Sequence, residues 1–125
     1  MKYMLLIYLG ENAISESERQ ACYEKSTAFA HDLQRSGKFI SANPLQPVST
    51  ATSIQVRQGK RLVTDGPFAE TREQLGGYFL VDADDLDDAI AIASQIPAAQ
   101  WGTVEIRPIV ELTGLPQSTL AEARA

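Results

Sequence analysis

Apolar residues along this chain switch between two periods. From Lys2 to Tyr8 they crowd both alternating positions, the pattern of a central strand covered on both sides. From Ser15 to Gly37 the period becomes helical. Ser and Glu stand near the start, good helix formers fill the interior, and Gly37 supplies a stop, so the stretch predicts a capped helix. At 100° per residue, Cys22, Ser26, Phe29, Ala30 and Leu33 share one stripe, which should face a sheet. The short run KFISANPLQP predicts a strand ended by Pro44 and Pro47. Beyond it, Gln58-Gly59 separates two β-prone runs and predicts a hairpin turn.

A second strand apolar on both faces is predicted over Gln74 to Val81, where Leu75, Phe79 and Val81 alternate with Tyr78 and Leu80. An acidic helix start follows in DADDLDDAIAIASQI, with Leu86, Ile90 and Ala93 expected on the inward face before Pro97. GTVEIRPIVEL supplies the last strand, and the final TGLPQSTLAEARA predicts a weak helix or a mobile end. The order is β-α-β-β-α-β with an additional short strand: an α+β, ferredoxin-like arrangement with an antiparallel sheet and both helices on one face. Two helices cover one side only, while the two central strands are apolar on both. The open face calls for a second copy packed by two-fold symmetry, so a homodimer is expected.

Length and charge narrow the function classes. The 125 residues fit one domain, taken as 1–112 followed by a tail at 113–125. A net charge of −5, with 11 basic residues scattered along the chain, argues against direct nucleic-acid binding. The apolar start is too short for a membrane span and reads as a strand. Cys22 stands alone, so no internal disulfide is called for and a cytoplasmic setting is expected. The sequence carries no glycine-rich phosphate loop, no Cys pair and one His, so the expectation is an activity without metal or cofactor.

The most particular stretch is TDGPFAETREQLGGYFLVD, followed by an acidic helix and IPAAQWGTVEIRPI. It resembles the DGPF-motif branch of the YCII-related proteins, as do the start MKYMLLIY and the middle ANPLQPVSTATSIQVRQGKRLVTDGPF, over roughly residues 1 to 110. The resemblance implies a dimeric α+β barrel. Some relatives are encoded with or fused to extracytoplasmic-function sigma factors, which implies a possible regulatory link. The better-described YCII branch is thought to use a His on the first helix with an Asp as an acid-base pair. That pair does not carry over: His31 lies about 200° from Phe29 and should point to water, and Ser26 falls near the relatives' His position.

Asp65 is the candidate catalytic acid or base, with Phe68 lining an apolar pocket beside it. The structural alternative is that its carboxylate accepts backbone N–H groups and holds the Asp-Gly-Pro turn. Arg72 is a candidate donor to a carboxylate ligand, Tyr78 a candidate ligand contact or proton donor, and Ser26 a small polar residue that either bonds back to its helix or faces a cavity. Gly76-Gly77 inside a strand marks a bulge, a close backbone or ligand approach, or a dimer contact. Two functions fit. One is a cofactor-independent lyase or isomerase using Asp65 on a small organic substrate. The other is a non-catalytic dimeric module that binds a ligand or a protein partner.

Overall fold

The computed structural model describes residues 1–116, so the tail's predicted helix falls mostly outside the described residues. Strands β1 (Lys2–Leu9), β2 (Phe39–Pro44), β5 (Gln74–Asp82) and β6 (Thr103–Pro108) form one antiparallel sheet in the order β2-β5-β1-β6. β1 and β5, the two strands apolar on both faces, lie at its centre. Helices α1 (Glu16–Arg35) and α2 (Leu86–Ser94) complete the ferredoxin-like pattern. The additional strand of the sequence reading is a pair, β3 (Thr52–Arg57) and β4 (Lys60–Asp65), which forms a separate two-stranded sheet inserted between β2 and β5. Gln58 and Gly59 turn this hairpin with φ of 53° and 74°, the positive values that a tight I′ turn requires of both central residues.

Local sequence explains where α1 starts and stops. The Ser15 hydroxyl accepts from the Glu18 N–H while the Glu18 carboxylate accepts from the Ser15 N–H, a reciprocal capping box. At the other end Gly37 adopts φ 76°, its N–H reaches the carbonyl of Gln34, and the Lys38 N–H reaches that of Leu33. α2 is capped by the Asp85 carboxylate, which accepts from the Asp88 N–H at 2.9 Å. Lys38, just before β2, forms ion pairs with Asp84 and Asp88 and fastens the sheet edge to the start of α2.

The core lies between the sheet and the two helices. Tyr3, Leu5, Phe79 and Val81 from the strands pack against Leu33 of α1 and against Ala89, Ile92, Ala93 and Ile96 of α2 and its exit. Phe29 meets Phe79 with ring centroids 5.9 Å apart in a tilted pair. The α1 stripe faces the sheet as read, with Leu33 buried and Cys22, Phe29 and Ala30 packed at its margin. The α2 face needs correction: Ala93 is buried, but Leu86 and Ile90 are 52% and 46% exposed. The Ala89, Ile92, Ala93 and Ile96 spacing defines the inward stripe, and the small alanines let the helix seat close to the strands.

The Gly76-Gly77 pair forms a bulge and a close backbone approach within the chain. Ile7 pairs with Gly77 while Tyr8 pairs with Leu75, so Gly76 is the extra residue of a bulge. A Cβ on Gly77 would stand 3.0 Å from the carbonyl oxygen of Asn43 and 3.1 Å from the Cα of Pro44, so β2 approaches here as close as a bare backbone allows.

Met4, Leu6, Tyr8 and Leu80 point to the sheet face opposite the helices and are half-buried. The hairpin's residues Ile54, Val56 and Val63, which share one face of the β3–β4 ladder, are 61%, 61% and 55% exposed.

Candidate functional site

A groove of about 960 Å³ opens between α1 and the sheet at the β2 and β5 side. Its floor is apolar, built from Ile7 and Leu9 of β1, Cys22 of α1, Phe39 of β2 and Phe79 of β5. Each element contributes because its inward stripe continues past the core to the open end of the sheet. Leu45 to Pro47 close one side, held by the Leu45 N–H on the Gly76 carbonyl at 2.8 Å.

The polar lining converges on the connection between β1 and α1. The Glu11 carboxylate accepts from the Val48 N–H at 2.8 Å, its N–H donates to the side-chain oxygen of Gln74 at 3.0 Å, and its carbonyl accepts from Arg19 Nη2 at 2.8 Å. One residue therefore ties together the two flanks of the hairpin insertion and the first turns of α1. Arg19 also stands 3.6 Å from the Glu16 carboxylate. Across the groove, Ser26 is half-buried, and its hydroxyl forms no hydrogen bond among the described residues, whereas the neighbouring Thr27 hydroxyl donates back to the Tyr23 carbonyl. Of the two readings of Ser26, the cavity-facing one matches this geometry.

Tyr78 belongs to the β5 segment that borders the groove, but its side chain alternates away from Phe79 onto the sheet face opposite the helices. Its phenolic oxygen lies 3.0 Å from Ser41 Oγ and 3.0 Å from Asn43 Nδ2. These two contacts, Ser41 first and Asn43 second, draw the phenol below its ordinary pKa because they stabilise the phenolate, outweighing partial burial, which acts the other way.

The remaining candidates sit elsewhere. Asp65 closes β4 and is exposed, Phe68 is 81% exposed, and Arg72 is exposed; none of them lines the groove. The Asp65 turn is not held by its carboxylate. Gly66 N–H donates to the Ala51 carbonyl at 2.8 Å, and Ser53 Oγ donates to the Gly66 carbonyl at 2.8 Å, while no donor reaches the Asp65 side chain among the described residues. The loop that follows ends on the groove wall: Gln74, bonded to Glu11, also donates to the Thr71 carbonyl at 2.6 Å. His31 is exposed, as read from the helical wheel, and lies on the outer rim.

Sequence reading missed Glu11, Arg19 and Gln74. Arg19 was legible, since it precedes Cys22 by three residues and Ser26 by seven and so extends the same stripe back one turn. Glu11 gave no signal, because its three attachments join segments far apart in the chain. Among the described residues no group of three or more His, Cys, Asp or Glu is arranged to hold a metal ion, and no helix is long and apolar enough to cross a membrane.

Comparison with known proteins agrees with this architecture. An uncharacterized protein of Rhizobium meliloti is 33% identical over 114 residues, covering 87% of this chain and 92% of that one. Among solved structures, 5-chloro-2-hydroxyhydroquinone dehydrochlorinase of Burkholderia phenoliruptrix, in complex with 2,5-dihydroxybenzoquinone, superposes with a TM-score of 0.53 at 12% identity, covering 88% of this chain and 94% of that one. At that identity the likeness is one of fold. The family model for the YCII-related domain matches residues 1–113, and the chain belongs to the YCII-related domain family.

Proposed function

We propose that this protein acts on a small organic molecule in the groove between α1 and the sheet, as a cofactor-independent enzyme of lyase or isomerase type. The observation that carries the reading is the groove itself: an apolar floor of strand and helix residues with a few polar groups converging at one end, the usual form of a small-molecule site. The fold relative acts on a small hydroxylated ring, which is compatible with this class of chemistry and does not select the substrate.

Asp65 is the acid or base in this proposal; since it does not line the groove of its own chain, a second copy would bring it there. Two features support it: its carboxylate is free of structural duty, and its loop runs directly into Gln74 on the groove wall. Ser26 is the proposed ligand contact within the groove, and Tyr78, Phe68 and Arg72, proposed with it, would reach the ligand only from a second copy. The motif containing Asp65 also places the chain, in this reading, in the DGPF branch. A homodimer belongs to the proposal as well, since Met4, Leu6, Tyr8 and Leu80 form an apolar sheet face that a second copy would cover.

A non-catalytic accessory module is the second reading. The observation favouring it is the hairpin, whose Ile54, Val56 and Val63 stay exposed on an isolated two-stranded ladder, a surface suited to a protein partner. The sigma-factor link and a cytoplasmic setting belong with this reading.

Incubation of the protein with a panel of small hydroxylated rings, lactones and hydroxy acids, followed by proton NMR, separates the two. Conversion by wild type and not by Asp65→Asn supports the enzyme. Binding without conversion of any panel member supports the module. Binding of nothing at the groove residues sinks both small-molecule readings.

A further inference from the structure

Arg19 is only 26% exposed, yet its guanidinium is incompletely engaged. Nη2 is anchored on the Glu11 carbonyl, which orients the planar group across the β1–α1 connection. Its other contact is Glu16, 3.6 Å from Nε and 76% exposed, and an exposed pair at that distance contributes about 0–1 kcal/mol. Arg offers five N–H donors in a fixed fork. Among the described residues Nη1 has no partner. Arg19 is also, among the described residues, the single Lys or Arg lining the groove, and the apolar floor of Ile7, Leu9, Cys22, Phe39 and Phe79 lies alongside it.

We propose that the groove takes a monocarboxylate with an apolar body, its carboxylate on the Arg19 fork in place of Glu16 and its hydrocarbon on the floor. This rests on the reading of the groove as a small-molecule site and names the ligand class. A carboxylate matches the guanidinium geometry two bonds at a time, which the loose Glu16 contact does not. Glu16 leaves readily because its side chain is solvated. Glu11 stays, because its carboxylate is fixed on the Val48 N–H. With one cation and two carboxylates at the mouth, a second negative charge on the ligand meets repulsion, so dicarboxylates and phosphate esters are disfavoured.

The test is a heteronuclear NMR titration of the full chain with hexanoate and benzoate, with their primary amides, and with adipate. The acids should shift the amides of Cys22, Ser26 and Phe79, and the neutral amides and adipate should bind about tenfold more weakly. Arg19→Gln should erase the preference for the acid, and Glu16→Gln, at an exposed position that leaves the fold intact, should tighten it. Equal binding of hexanoate and hexanamide at the same residues, or a preference that survives in Arg19→Gln, would overturn the carboxylate assignment and leave the groove standing. If no compound shifts any groove residue, the reading of the groove itself fails and this inference with it.

Discussion

The hydroxyl of Ser53 donates to the carbonyl oxygen of Gly66 at 2.8 Å, joining the start of β3 to the chain just beyond Asp65 at the end of β4. With the Gly66 N–H on the Ala51 carbonyl, it closes the Asp-Gly-Pro corner by backbone and serine alone. The corner residue that sequence singles out for chemistry is therefore spared from holding the corner.

It follows that Asp65→Asn should leave stability within about 0.5 kcal/mol of wild type, the range of an exposed surface change. Ser53→Ala should cost about 1 kcal/mol, the net worth of one hydrogen bond. Urea unfolding at one fixed protein concentration checks both. If Asp65→Asn lost 1 to 3 kcal/mol, the carboxylate would be a structural acceptor and its candidacy as acid or base would end.

Phe79→Ala should cost about 3–5 kcal/mol, since Phe79 is 4% exposed and its removal leaves a cavity beside the Phe29 ring. Phe68→Ala, at 81% exposure, should change folding stability by less than about 0.5 kcal/mol. The same denaturation series compares them. A large loss at Phe68 would mean that its loop packs against something outside the protomer.

The contrast between these two phenylalanines marks how far the sequence could be read. Strand and helix periodicity located β1, β5 and α1 because each buries a long regular stripe, and the DGPF stretch led to the family. Periodicity misjudged α2, whose inward face is set by two alanines that carry little hydrophobic weight in the pattern, so the bulkier Leu86 and Ile90 drew the stripe toward themselves. The groove was half legible. Ser26 lies on a regular stripe, which places it on the groove side of α1. Glu11 sits in a connection with no period, and its partners Val48, Gln74 and Arg19 meet it only through tertiary structure.

Stability should fall in acid partly through the ion pair between Lys38 and Asp88. The Lys38 ammonium, and after it the Asp84 N–H, hold the Asp88 carboxyl below its ordinary pKa. A carboxyl depressed in the folded state contributes stability that is present above its unfolded value of roughly 3.9 and is lost as pH falls through the lower folded value. Lys38 is raised chiefly by its hydrogen bond to Asp88, so its contribution is present below the ordinary lysine pKa and is lost as pH rises through the higher folded value. Asp88→Asn should flatten the acid limb of the stability profile and remove the alkaline loss assigned to Lys38. Thermal unfolding followed from pH 2 to 6 and from 9 to 12 is the measurement, and an unchanged acid limb would show that other carboxylates control it.

Tyr78 should ionise below the ordinary tyrosine value of about 10. The difference in alkaline absorbance titration between wild type and Tyr78→Phe isolates this phenol from the other three tyrosines. Its midpoint should rise in Ser41→Ala and less so in Asn43→Ala, following the order of the two contacts. A midpoint in Ser41→Ala equal to that of wild type would show that the Ser41 hydroxyl does not favour the phenolate.

The sheet face opposite the helices carries the last expectation. Across the β2-β5-β1-β6 ladder, Leu80, Met4 and Arg107 lie in one row and Tyr78, Leu6 and Glu105 in the next, so an apolar centre is flanked by polar edges. That is the composition of an interface core and rim, and on a two-fold axis the same patch would serve both copies. Sedimentation equilibrium should therefore give a dimer, and apparent stability should rise with protein concentration. Leu80→Lys, which places a charge at the centre of the patch, should convert it to monomer, whereas Val56→Lys on the hairpin reports whether that ladder also belongs to the interface. Far-UV circular dichroism at high concentration separates a lost interface from a lost fold. A wild-type monomer at high micromolar concentration would leave the open face without its second copy and remove the dimer from the proposal.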